Sequence, residues 1–181
     1  MLRTIIETRK DQVAAMKWSI GPKDENQKPD DRCKMLADFW TSPDKEHSWN
    51  DWLRMLMEQL FVIDAPALYC RMNRGGQLYG LEIIDGATIA RKLTLDGHTP
   101  DAWEGPAYQA VLKGLPAVDY VKPLPFGMKP PTDQNGAPMP ELIYRPRNLR
   151  ADRVYGFSPV EQILTTVNIA LRREIYLLNY Y

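Results

Sequence analysis

Histidine and cysteine are nearly absent from this sequence, and so is any long apolar run. Only His47 and His98 are present, each in a polar, turn-like context with no second ligand at helical or hairpin spacing. That excludes a histidine-built metal centre and reads both as surface residues. Cys33 and Cys70 lie far apart with no partner motif. They read as two unpaired thiols in a reducing setting, small hydrophobes rather than nucleophiles. No segment approaches the ~18 apolar residues of a membrane-spanning helix, and no secretory leader pattern is visible. Charge of either sign is not in excess: 23 basic and 23 acidic residues cancel, so the chain exerts no global pull on nucleic acid or anionic membrane. No repeat of fixed period is present.

What is there suits one domain, or a domain with a small appendage. The chain has 181 residues, 44% of them hydrophobic, enough for a core. Helical spacing of Leu2, Ile5, Ile6, Val13 and Met16 predicts a helix over 2–17. Segment 19–31 is polar and broken by Gly21, Pro22 and Pro29, hence a loop. A short helix over 32–40 follows. Ser48, with Asp51 three residues on, opens another whose apolar side is Trp49, Trp52, Leu53, Leu56, Leu60 and Ile63. Met55 and Met57 flank that side, so burial over much of its circumference is expected. The period then changes to two. Ala67–Asn73 and Gln77–Ile84 read as strands of a hairpin, with Gly75 and Gly76 supplying positive φ. A strand with alternating Ile89, Arg91, Leu93 and Leu95 comes next, then "YQAVL" and "AVDYV". Fifteen prolines, about 8% against a usual ~5%, cluster in 100–146 and make 122–140 a long loop, mobile or clamped onto a partner. "ELIYRP" is a last strand. The expected fold is α+β: a helical part over 1–63, a β-rich part over 64–147 with one small antiparallel sheet, and a long helix over 158–181.

That last helix begins carefully. In "YGFSPVEQ" Ser158 is placed as the N-cap, Pro159 as the first helical residue, and Glu161 to reach back and close a capping box. Val160, Ile163, Leu164, Val167, Leu171, Ile175 and Leu178 recur at three- and four-residue steps and form an apolar face. The final "LLNYY" has no glycine cap, no proline beyond it and no basic residue in the last turn. At the front, no capping residue precedes Leu2, and Arg3 falls at the end the helix dipole makes unfavourable for a cation. Both ends therefore read as cut through helices, and the expectation is a piece of a longer protein. Without native partners for Leu171, Ile175, Leu178 and Tyr181, apolar surface is left exposed and the final two turns should fray.

Chemistry is harder to find. "NRGGQLYG" holds three glycines but lies between strands, whereas a phosphate-cradling loop leads from strand to helix. Asp64, Glu82, Asp85 and Asp119 are the carboxylates that could converge on a metal, and Asp119 with Lys122 resembles part of a nuclease core. A metal-dependent nuclease is thus one alternative. A DNA-binding module is another, because Arg145, Arg147, Arg150 and Arg153 stand against Asp152 alone near Tyr144 and Tyr155 and could touch phosphates and bases. The plainer reading pairs these arginines with acids of neighbouring elements or subunits. No catalytic, cofactor-binding or metal-binding residue is assigned.

Three blocks, in this order, carry a resemblance. "IIETRKDQVAAMKWSI", "WNDWLRMLMEQLFVIDAPALYCRMNRGGQLYGLEIIDGATI" and "LIYRPRNLRADRVYGFSPVEQILTTVNIALRRE" span nearly the whole chain, and Tyr155-Gly156-Phe157-Ser158-Pro159-Val160-Glu161 is the most telling stretch. Together the chain resembles the portal proteins of tailed bacteriophages and prophages, on their wing-side N-terminal portion. The resemblance implies a structural virion protein without catalytic residues: one subunit of a ring, typically of twelve, at one capsid vertex. Double-stranded DNA passes through that ring non-specifically during packaging and ejection. It implies partners in the terminase, in capsid or scaffold proteins and in neck proteins. It implies location in the virion and, during assembly, in the bacterial host cytoplasm, with no membrane partner. The stem, clip and crown of such a protein would lie beyond Tyr181, so 1–181 alone is expected to be a monomer or weak oligomer. The arginines at 145–153 then become subunit-contact or DNA-proximal residues.

Overall fold

The computed structural model describes residues 2–24, 27–125, 127–133 and 135–180. Tyr181, and Phe126 and Gln134 of the proline-rich loop, lie outside the described residues. The chain runs α1 (Leu2–Ala14), α2 (Asp31–Thr41), α3 (Trp49–Val62), β1 (Ala67–Met72), β2 (Leu78–Ile84), a 3-10 turn (Gly86–Thr88), β3 (Ile89–Arg91), β4 (Tyr108–Leu112), β5 (Leu115–Tyr120), β6 (Glu141–Tyr144) and α4 (Pro159–Tyr180). The fold is α+β. The single sheet expected from sequence is two: an antiparallel sheet β2-β1-β6 and another, β3-β4-β5. Local pattern could not reveal that β6 returns across more than seventy residues to pair with β1, with Ala67 opposite Tyr144.

That return makes β1 the central strand of the first sheet, and its side chains alternate between two cores. Leu68 and Cys70 face one way, with Leu81, Ile83 and Ile143, and pack with Trp52 and Leu56 of α3. Ala67 and Tyr69 face the other way, with Leu142 and Tyr144, and meet Ile89, Tyr108, Ala110 and Tyr120 of the second sheet. The order of layers is therefore helices, first sheet, second sheet. Tyr108 and Tyr144 cross between the sheets at 5.4 Å, and Tyr69 meets Tyr120 at 6.2 Å. Burial pushes the phenols of Tyr108, Tyr120 and Tyr144 above their ordinary range.

The helical layer is built on tryptophan. Trp52 is 2% exposed. It stacks on Trp49 at 5.7 Å and meets Trp40 edge-on at 5.8 Å, while Trp18 reaches Trp49 at 5.4 Å. Its indole N–H donates to the Leu81 carbonyl at 2.8 Å, tying α3 to β2. Ser48 caps α3, its side chain accepting from the Asp51 N–H. Trp52 alone is fully buried on this helix, less than the Met-flanked stripe suggested. The loop before α3 is held by Asp44, which accepts from the N–H groups of Glu46 and His47 and pairs with the His47 ring at 2.7 Å. His47 is exposed and fastens a turn. His98 does likewise, at 2.9 Å from the Thr94 hydroxyl.

Three other expectations shift. The strand expected over 89–95 stops at Arg91, because Thr94 turns back onto His98 and leaves Leu93 and Leu95 in solvent. Of the hairpin glycines only Gly76 takes positive φ, at 73°, while the Asn73 side chain accepts from the Gly75 and Gln77 N–H groups and closes the turn. Helix α1 ends at Ala14, three residues early. It lies on α3 through Ile6 and an ion network. Lys10 reaches Glu58 at 2.7 Å and Glu7 at 3.1 Å, Arg54 reaches Glu7 at 2.8 Å and also pairs with Asp11, and Arg3 pairs with Glu58. Arg3, unfavourable at a helix start, is thus neutralised by its neighbours.

Candidate assembly surface

The segment 145–161 leads from β6 to α4, and a buried carboxylate organises it. Asp64, fully buried just past the end of α3, adopts a left-handed φ of 50°. Asparagine and aspartate tolerate that conformation better than most residues. Its two carboxylate oxygens accept the N–H groups of Arg147 at 2.8 Å and Asn148 at 2.7 Å. Its carbonyl accepts the Gly156 N–H at 3.1 Å. Gly156 must be glycine: a Cβ there would stand 2.0 Å from the Asp64 carboxylate oxygen and 3.0 Å from the Asn148 carbonyl. Asn148 then closes the loop. Its carbonyl accepts the Phe157 N–H at 2.8 Å, and its amide donates to the Phe157 carbonyl at 3.0 Å.

The four arginines divide. Arg150 donates to the Gly156 carbonyl at 3.0 Å, pairs with Glu161 and lies 4.7 Å over the Phe157 ring. Arg153 sits 3.7 Å from Asp152 and 4.0 Å from Glu161. Arg145 and Arg147 are exposed, bound to the body through backbone N–H groups and forming no ion pair among the described residues. Glu161 is thereby taken, and the reciprocal half of the expected capping box is not made. Ser158, 2% exposed, still accepts the Glu161 N–H at 3.0 Å, so the cap itself stands. Pro159 begins the helix and Tyr155 donates to the Ala87 carbonyl at 2.8 Å.

Beyond its base α4 is bare. From Asn168 through Tyr180 every side chain is exposed, including Ile169, Leu171, Ile175, Tyr176, Leu177 and Leu178. Apolar groups thus occur around the helix, not only on the face read from the sequence. Such a surface on an amphipathic helix marks a contact that the described residues do not supply. The helix continues through Tyr180.

The carboxylates read as a metal cluster do not converge. Asp64 serves the loop just described, Glu82 pairs with Arg71, Asp85 caps the 3-10 turn through the Ala87 N–H, and Asp119 binds Lys92 and Gln109. Lys122 turns instead to Asp101 and the Thr99 carbonyl. Among the described residues no three potential ligands form a group that could hold a metal. Among the described residues no helix is long and apolar enough to cross a membrane. Sequence reasoning missed Asp64 as an organiser. The available signal was a lone acid in the apolar run "QLFVIDAPALYC".

The geometry describes an α+β body carrying a helix whose side chains are exposed over most of its length. Comparison with known proteins adds to that description. No protein-family model matches the chain, and no curated protein matches it. Solved structures do. One similar chain belongs to the neck of an empty gene transfer agent particle computed with C6 symmetry: TM-score 0.60, 16% identity, covering 96% of this chain and 41% of that one. Another belongs to the virion of a native gene transfer agent particle: TM-score 0.61, 14% identity, covering 96% of this chain and 40% of that one. The fold is therefore shared along nearly the whole chain, which spans about two fifths of the length of these neighbours.

Proposed function

We propose that this chain is the wing-side part of a portal-ring subunit in a phage-like particle. It is a structural virion component that takes its place in the capsid vertex, after assembly in the host cytoplasm, and catalyses nothing itself. The observation that carries this reading is the fold shared over 96% of the chain with a particle-neck protein. It agrees in kind with the portal resemblance of the three sequence blocks. A ring of twelve contains a six-fold axis and so is compatible with the C6 symmetry of that neck. The exposed apolar length of α4 supports a subunit whose contacts lie in other parts of the assembly. The longer protein would add the stem, the clip that meets the terminase, and the crown.

A conduit must let double-stranded DNA slide. Dense phosphate clamping would release counterions and hold the strand. Balanced net charge suits passage, and the commitment of Arg150 and Arg153 to Glu161 removes half of the basic cluster from phosphate binding. Arg145 and Arg147 are free to meet a neighbouring subunit. The test is electron microscopy of the longer gene product together with its Arg145→Ala/Arg147→Ala variant. Rings with a central hole are expected from the wild type, and impaired ring assembly with unaltered DNA retention from the variant. Absence of rings refutes the portal reading. Intact rings with leaky heads refute the subunit role of the arginines. Steeply salt-dependent micromolar binding of duplex DNA to 1–181 would favour a DNA-binding module instead.

A further inference from the structure

The base of α4 is bonded far more densely than its length. Helix α4 has 22 residues, about 33 Å at ~1.5 Å per residue. Its main contact with the body is with α3, and the side chains from Asn168 to Asn179 are all exposed among the described residues. Side-chain packing along the shaft therefore cannot set its direction. Eight polar contacts crowd the first turn and the residues before it. Asp64 holds the Arg147 and Asn148 N–H groups and, through its carbonyl, Gly156. Asn148 grips both the N–H and the carbonyl of Phe157. Arg150 ties the Gly156 carbonyl to Glu161 on the helix itself. Gln162 turns back to donate to the Phe157 carbonyl at 2.8 Å. Gly156 is pressed so closely on Asp64 that no other residue fits between.

We infer that this joint is a rigid elbow, and that Asp64 is the positioning residue that fixes the angle at which α4 leaves the body. A swing of about 10° at the base would carry the far end of a ~33 Å helix through about 6 Å, more than the width of a side-chain contact. Whatever meets the exposed length of α4 therefore depends on a carboxylate at its opposite end. The elbow would have this property in a ring subunit or in any other assembly, so it stands or falls separately from the portal reading.

The test measures the angle rather than the stability. In a Cys33→Ser/Cys70→Ala background, spin labels are placed at Leu115→Cys on β5 and Arg173→Cys on α4, both exposed positions. Pulsed dipolar spectroscopy reads the distance between them. The native joint is expected to give one narrow distribution. Asp64→Asn keeps the shape and the left-handed backbone preference but turns an NH2 group toward one of the two N–H donors. It is expected to broaden the distribution at least two-fold while amide exchange in β1 and β4 stays native. Arg150→Met provides a second perturbation that leaves the Asp64 carboxylate untouched, and is expected to broaden the distribution less. Should Asp64→Asn fail to fold, a native width in Arg150→Met overturns the rigid elbow, and broadening supports it. A broad wild-type distribution, or a native width in both variants, also overturns it.

Discussion

Replacing Glu58 by glutamine should release α1 from α3 while leaving the two sheets intact. Helix α1 fully buries one apolar side chain, Ile6, worth about 1.5–3 kcal/mol. The rest of its hold is ionic, and Glu58 is the shared acceptor for Lys10 at 2.7 Å and for Arg3. Lys10 is buried to 7% exposure, so its ammonium depends on acceptors there. Glutamine would leave it with Glu7 as its charged partner at 3.1 Å. Losing a charge-assisted hydrogen bond in a half-screened site costs about 1–2 kcal/mol, which makes local opening of α1 roughly 5–30-fold more frequent. Native-state amide exchange reads this directly: amides of Ile6–Ala14 should speed by that factor while those of β1 do not change. Acid should act in the same direction. Burial alone would raise the Glu58 carboxyl, but Lys10 and Arg3 outweigh it and hold it below its ordinary 4.5. Its contribution is therefore present above that value and lost as pH falls through the lower, folded one. Unaltered α1 exchange in Glu58→Gln, or equal acceleration in every element, would refute an ionically held helix.

Trp52→Phe removes the indole donor from the buried Leu81 carbonyl and leaves space beside Trp40 and Trp49. It should lower stability by about 2–4 kcal/mol in urea titrations, and a loss under 0.5 kcal/mol would contradict the role given to that bond. The two thiols should differ in reactivity. Burial, and secondarily Glu141, pushes Cys70 up to about 11, whereas Cys33 is only half-buried. At pH 8 a thiol reagent should modify one cysteine promptly and the second only on unfolding, and equal rates would show the first sheet to be open.

The sequence spoke most clearly where structure is local. Ser48 and Ser158 cap the helices they precede, and the hairpin around Gly76 lies where the glycines put it. These features depend on residues within a few positions of each other. What could not be read was non-local. Nothing near "ELIY" says that it pairs with β1 rather than with β5, and nothing near Asp64 says that its donors lie more than eighty residues away. Glu161 shows the boundary between the two. Its spacing from Ser158 suited a capping box, yet Arg150, eleven residues upstream, offers a charge-assisted partner, and that bond is the stronger one. The long strand expected to Leu95 failed for a local reason: Thr94 and His98 form a competing turn.

Asp64 and Gly156 are separated by about ninety residues of chain. A polypeptide leaves the ribosome N-terminus first at roughly 5–20 residues per second. For several seconds after α3 emerges, the Asp64 carboxylate has neither of the donors that justify its burial, and β1 lacks its partner β6. Closure of the body must wait for the residues that launch α4, so the helix that reaches away from the molecule can be oriented only as the molecule itself is completed.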